Sequence, residues 1–366
     1  MKFQSPDYVR SMAPYQAGKP VSELAREYGL NEADIVKLAS NENPLGMPES
    51  ARQAMMAAVS ELGRYPDANG FELKAAIADK YSVPADWITL GNGSNDLLEI
   101  AAHAILQPGT SAVYSQYSFA VYALATHAVG ARAIVVPARD YGHDLDAMLA
   151  AIADDTRLMF LANPNNPTGT FLPAARIEAF LEKVPERVVV VLDEAYNEYL
   201  EPELRFDSTH WVRKFPNLVL SRTLSKVYGL AGLRVGFGLA QAELTDLMNR
   251  IRQPFNTNSI AQAAAIAALG DHAFVERSYQ LNRAGLIKLQ SGFAALGLQY
   301  VPSYGNFVLV RVGDGAAVYE SLLRQGVIVR PVGGYGLPEW LRISVGLPEE
   351  NDRLLAALAR AVGRAG

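Results

Sequence analysis

Lys226 stands in the middle of residues 221–238, SRTLSKVYGLAGLRVGFG, among Leu224, Val227, Tyr228, Leu230 and Leu233. An amine surrounded by apolar side chains is partly desolvated and loses its proton more easily. That suits it to Schiff-base chemistry with a carbonyl. The plain alternative is a lysine snorkelling out of a strand-to-helix turn. Thr223 and Ser225 add hydroxyls beside it, and Arg234 adds a guanidinium eight residues on. Three upstream stretches bear on the choice. Asp193 ends the apolar run Val-Val-Val-Val-Leu192, and a carboxylate on a buried strand requires a cation or hydrogen bonds. No cation is near it in sequence; a protonated heterocyclic nitrogen would serve, with Tyr196 reaching the same ligand. A helix cap is the alternative for Asp193. Asn163-Pro-Asn-Asn-Pro-Thr-Gly169 holds Asn166 in a proline-locked turn, and Gly91-Asn-Gly-Ser-Asn95 resembles an anion cradle at a helix start. The latter two also read as a rigid surface turn and a capped glycine turn.

Together these residues supply an amine, a carboxylate for a pyridinium, donors for a phenolate oxygen and a phosphate cradle. That inventory fits pyridoxal 5′-phosphate. It does not fit a Walker loop or a dinucleotide fingerprint, since Gly91–Ser94 lacks the Gly-Lys-Ser/Thr ending and Gly236-Phe-Gly238 lacks the fingerprint spacing.

Such residues have to be carried by elements. The periodicity predicts helices over 48–62, 71–81, 95–106, 119–127, 144–152, 173–183, 261–269 and 271–296. Between them lie strands over 87–90, 111–114, 132–136, 158–161, 188–192 and 217–221. Alternation of this kind predicts an α/β fold, a large domain with a mainly parallel sheet flanked by helices, whose ligands sit at the strands' carboxyl ends. The C-terminal part changes character. Strands over 298–301, 307–310, 327–330 and 341–345 alternate with helices over 316–325 and 349–362, predicting a smaller α+β domain. The expected division is a large domain over 48–270 and a small one made of 1–47 and 271–366.

Composition narrows the function classes. The chain has 366 residues, half of them hydrophobic, with 19% charged, a net charge of −5 and no cysteine. The charge gives no bulk attraction to nucleic acid or membrane. Disulfides and thiolate metal sites are excluded, and the five histidines have no metal-ligand spacing. The expectation is a cytoplasmic, metal-free protein.

The chain resembles the fold-type I pyridoxal-phosphate-dependent aminotransferases of the class II branch over nearly its whole length. The motifs are Asn163–Gly169, Asp193-Glu-Ala-Tyr196, Ser225-Lys226 and Leu233-Arg-Val-Gly236. Within that family, Leu38-Ala-Ser-Asn-Glu-Asn-Pro-Leu-Gly46, Arg64-Tyr-Pro-Asp67 and Pro254-Phe-Asn-Thr-Asn-Ser259 are similar to the histidinol-phosphate aminotransferases. The resemblance implies that Lys226 carries the cofactor as a Schiff base and shuttles the proton. It implies Asp193 at the ring nitrogen, Asn166 and Tyr196 at the phenolate oxygen, and Ser94, Asn95, Thr223, Ser225 and Arg234 at the phosphate. Tyr65 would reach that phosphate from the partner subunit of a homodimer with shared sites. The family's Pro-Thr-Tyr-x-x-Tyr appears here as Tyr117-Ser-Phe-Ala-Val-Tyr122, which leaves Phe119 to stack on the ring, with Tyr117 as alternative. Arg342 and Arg330 would bind the substrate's anionic tail, with Tyr15, Asn43, Lys19 and Asn306 lining the amino-donor side. The implied reaction passes an amino group from histidinol phosphate to 2-oxoglutarate by a ping-pong route. The rivals are an aromatic amino acid aminotransferase and, more distantly, a phospho-amino-acid decarboxylase.

Overall fold

Seven strands form the central sheet of the protein, whose computed structural model describes residues 3–14 and 18–363. In chain order the strands are β1 (Val36–Lys37), β2 (Ile88–Gly91), β3 (Ser111–Ser115), β4 (Arg132–Val136), β5 (Thr156–Ala162), β6 (Val189–Asp193), β7 (Leu218–Thr223), β8 (Gly236–Leu239), β9 (Tyr300–Val301), β10 (Phe307–Arg311), β11 (Val327–Ile328), β12 (Arg330–Pro331) and β13 (Trp340–Ser344). The central sheet runs β2-β8-β7-β6-β5-β3-β4. Its neighbours pair in parallel except β8, which is antiparallel to both β7 and β2. β2, β3, β5, β6 and β7 therefore end on one edge, and the turns that follow them carry the residues singled out above.

Strand periodicity divides the core between two helical layers. Val190, Leu192, Met159, Leu161, Leu218 and Leu220 pack on one face, beneath helices Phe71–Tyr81, Ala174–Leu181 and Ser259–Gly270. Val189, Val191, Leu158, Phe160 and Val219 pack on the other, against Ser94–Ile105, Ala120–Ala128 and Ala242–Ile251. A strand buried on both faces must be apolar throughout. This is why β6 is four aliphatic residues long before Asp193.

The C-terminal part builds a four-stranded antiparallel sheet, β12-β13-β10-β9, covered by helices His272–Ala295, Gly315–Arg324 and Pro348–Ala361. Val36 and Leu38 share its core with Leu286, Phe293, Val308 and Ile343.

The fold departs from the sequence reading in three places. β8 is a strand that the glycines of Gly236-Phe-Gly-Leu239 disguise. A Cβ at Gly236 would stand 2.8 Å from both the Arg222 carbonyl oxygen and the Ser94 amide nitrogen, so only glycine allows the strand so close to its neighbours. The expected strand 327–330 is two strands in different sheets. Val327–Ile328 pairs in parallel with β1 while Arg330–Pro331 pairs with β13, because the N-terminal segment supplies a partner from far away in sequence. Residues Thr209–Lys214 and Ala242–Ile251 form helices where the sequence reading has none.

Candidate active site

A cavity of about 250 Å³ opens at the edge where β2, β3, β5, β6 and β7 end. Asp193, the last residue of β6, is buried there. Its Oδ2 accepts a hydrogen bond from the Tyr122 hydroxyl at 2.9 Å, and its Oδ1 a longer one from the Ala195 amide at 3.3 Å. Burial pushes this carboxyl up to about 6, with the Tyr122 hydrogen bond opposing. Lys226 follows β7, and its Nζ donates to the Ser40 carbonyl at 3.1 Å. Burial, and then the charges of Arg342 and Arg234, bring its amine down to about 8, against the pull of Glu42 and Asp193. The cavity thus holds a lysine shifted towards neutrality and a carboxylate without an ion pair to a protein cation at hydrogen-bonding distance.

Other walls carry donors. Asn166 Oδ1 accepts from Arg342 Nη1 at 2.7 Å, which leaves the amide nitrogen to face an acceptor in the cavity. The Tyr196 hydroxyl, pushed up to about 12 by burial, accepts from Asn41 Nδ2 at 2.9 Å. Arg342 on β13 is buried, donates to the Ala39 carbonyl at 2.6 Å and lies over the Phe307 ring. Arg330 lines the same space.

At the far end the helix Ser94–Ile105 points its first turn at the cavity, with Ser94, Asn95, Thr223, Ser225 and Arg234 around it. Arg234 Nη1 donates to Ser225 Oγ at 3.3 Å and to the Ala231 carbonyl at 3.0 Å. A helix N-terminus, hydroxyls and a guanidinium make an anion cradle. Gly93, at φ +81°, permits it: a Cβ there would lie 2.4 Å from Arg234 Nη2.

Phe119 lines the cavity and meets Tyr122 edge-on at 5.9 Å, whereas Tyr117 packs on Tyr141 outside it. Four expected residues are not on its walls. Tyr65 is 82% exposed and stacks on Phe255. Lys19 pairs with Glu27 and Glu23. Asn306 donates to the Asn41 carbonyl at 2.9 Å. Asn43 is the fourth. Its Nδ2 is committed to the Val227 carbonyl and Ser278 Oγ, both at 2.8 Å, so it ties the loop down. Tyr15 lies outside the described residues.

Residues 33–358 match the family model described as Aminotransferase class I and II. The chain is 70% identical over 361 residues to Histidinol-phosphate aminotransferase 1 of Cupriavidus pinatubonensis, covering 98% of this chain and 96% of that protein. It is 68% identical over 364 residues to Histidinol-phosphate aminotransferase 2 of Ralstonia nicotianae, covering 98% and 97%. The crystal structure of histidinol-phosphate aminotransferase from Sinorhizobium meliloti in complex with pyridoxal-5′-phosphate superposes with a TM-score of 0.90 at 29% identity, over 99% and 98% of the two chains. The chain belongs to the aminotransferase class I and II family.

This aminotransferase has wall residues that sequence reasoning did not assign. Tyr122 is one, and the spacing Phe119-Ala-Val-Tyr122 held the signal, since residues three apart share a helix face. Asn41, Ser40 and Glu42 are the other polar ones. Their motif is visible in the sequence, but Asn41 and Ser40 have partners 155 and 186 residues away. Among the described residues no cluster of three acidic or histidine side chains could hold a metal ion, and no helix is long and apolar enough to cross a membrane.

Proposed function

We propose that the chain transfers the amino group of histidinol phosphate to 2-oxoglutarate, using pyridoxal 5′-phosphate held on Lys226. The observation that carries this reading is that Lys226, Asp193, Arg342 and Arg330 line one cavity whose far end is an anion cradle. The residues present fit the cofactor part by part, and the cradle is one that a Cβ at Gly93 would fill. When bound, the cofactor supplies an electrophilic carbon and an electron-accepting ring.

The chain's own residues do the rest. Ser94, Asn95, Thr223, Ser225 and Arg234 bind the phosphate. Phe119 stacks on the ring, and Asn166 and Tyr196 donate to its oxygen. Asp193 holds a proton at the ring nitrogen. Lys226, whose amine burial brings down to about 8, can take a proton from the reacting carbon and return it. Arg342 and Arg330 orient the phosphate of one substrate and the carboxylate of the other; a guanidinium fork suits both. One cavity serving two anions in turn is what a ping-pong exchange requires.

The names of the relatives at 70% and 68% identity support the substrate, and the complexed relative supports the cofactor. The reading extends to a cytoplasmic homodimer with shared sites, Tyr65 reaching the partner's phosphate cradle, and to a large unit over 48–270 with a small unit made of 1–47 and 271–366. Half-reaction spectra of the loaded protein test the substrate. Histidinol phosphate and glutamate should each convert the cofactor's absorbance, and phenylalanine should do so far more slowly. Faster conversion by phenylalanine would replace this substrate with an aromatic amino acid.

A further inference from the structure

A phenol has one hydrogen, so what the Tyr196 oxygen accepts decides where that hydrogen can point. Asn41 Nδ2 is the donor to that oxygen, at 2.9 Å. Ser344 supports the orientation of this amide. Its Oγ accepts from the Asn41 backbone N–H at 2.8 Å and donates its own hydrogen to Asn41 Oδ1 at 2.9 Å. With Oδ1 committed to a hydroxyl hydrogen, the nitrogen is what must meet Tyr196. The Asn41 backbone is fixed as well, its carbonyl accepting from Asn306 and its φ at +54°. Asparagine tolerates that left-handed conformation better than most residues. Asn41, Ser344 and Tyr196 are all buried, and Asn41 and Tyr196 line the cavity.

We propose that Asn41, held by Ser344, is a positioning residue that turns the Tyr196 hydroxyl hydrogen into the cavity, towards the cofactor's ring oxygen. This rests on the reading of pyridoxal phosphate in the cavity. A donor at that oxygen stabilises its negative charge, so the linkage between cofactor and Lys226 releases its proton at lower pH than it would otherwise. Arg342, Arg234, Glu42 and Asp193 face Lys226, and Arg342, Asp193 and Tyr335 face Tyr196. Substitution at Asn41 leaves all of them in place.

The test is a pH titration of the absorbance of the cofactor-loaded protein, with a thermal melt of each variant as control. Asn41→Asp keeps size and backbone tolerance but puts an acceptor where the donor was, drawing the phenol hydrogen away from the cavity. Its midpoint should rise by about one pH unit, the worth of a hydrogen bond to a charged group. Asn41→Gly, which suits the positive φ, should raise it less. An added carboxylate could act through its charge alone, so both Asp and Asn are also compared in a Tyr196→Phe background. There the shift should fall below about 0.3 unit. Ser344→Ala, which releases the amide to turn, should also raise the midpoint and serves if Asn41→Asp does not accumulate. An unmoved midpoint in Asn41→Asp or in Ser344→Ala overturns the proposal, as does a full shift in the Tyr196→Phe background. If the parent protein takes up no cofactor on Lys226, the fault lies with the cofactor reading.

Discussion

Asp193 and Lys226 both have their ordinary ionisation disfavoured by burial, and this has a consequence for stability as well as chemistry. A carboxyl raised to about 6 binds more protons in the folded than in the unfolded chain between about pH 4 and 6. Folding stability contributed by Asp193 in the cofactor-free protein therefore falls as pH rises through that window and stays low above it. Asp193→Asn removes this cost. The cofactor-free variant should be more stable than its parent at pH 7, by about 1–3 kcal/mol, and nearly equal to it at pH 4. Chemical denaturation at the two pH values measures the difference. The loaded variant should lose roughly 10²–10³-fold in turnover, because an amide cannot balance a pyridinium charge. If Asp193 only capped the following turn, asparagine would replace it with little effect on turnover.

At the scale of elements, the first turn of helix Ser94–Ile105 and the Arg234 loop form one cradle only because β8 passes close to both. Gly93→Ala tests that arrangement. The new Cβ meets Arg234 Nη2, the far end of a flexible side chain, and it sits at a φ of +81°. The guanidinium can move aside, so the fold should survive with a loss of about 1–2 kcal/mol from the left-handed backbone. Cofactor affinity should suffer more than the fold, by about tenfold or more, since a charge-assisted contact to phosphate is removed. Equilibrium titration of the cofactor-free variant reads the affinity and a melt reads the fold. Unchanged affinity would show that Arg234 does not clamp the anion.

At the scale of the molecule, the surface around Tyr65 is unusual. Met56, Val59, Leu62, Tyr65, Phe71 and Phe255 are all exposed, Tyr65 at 82%. Proteins seldom leave so many large apolar side chains in water within neighbouring elements unless a partner covers them. A second copy bringing Tyr65 to the other cradle would do so, with two equivalent sites. Lys226→Ala and Tyr65→Ala subunits, each impaired alone, should then complement when mixed. A mixed dimer has one site with both lesions and one with neither, so random exchange should restore about a quarter of the intact sites. A mixture no more active than its components would remove the shared site.

The alternation of strands and helices, the apolar β6 and the residues at the strand ends are legible in the sequence. Those features follow from local periodicity and from the chemistry of single side chains, which a linear text carries. The sequence also marked Lys226, Asp193, Asn166 and Arg234, because each stands in a local motif (an apolar strand end, a proline-locked turn or a glycine-rich segment) that can be read without its distant partners. What it did not contain were relations between distant segments. The glycines of β8 look like a loop until Ser94 and Arg222 are brought against them. Residues 327–330 look like one strand until Val36 arrives to pair with half of it. Asn43 looks like a site residue until its amide is seen tied to Val227 and Ser278, and Asn41 looks like a turn residue until Tyr196 and Ser344 meet it. A hydrogen bond is short and directional, so its partner is set only when the chain has closed on itself; folding puts Asn41 on the cavity wall and ties Asn43 to the loop.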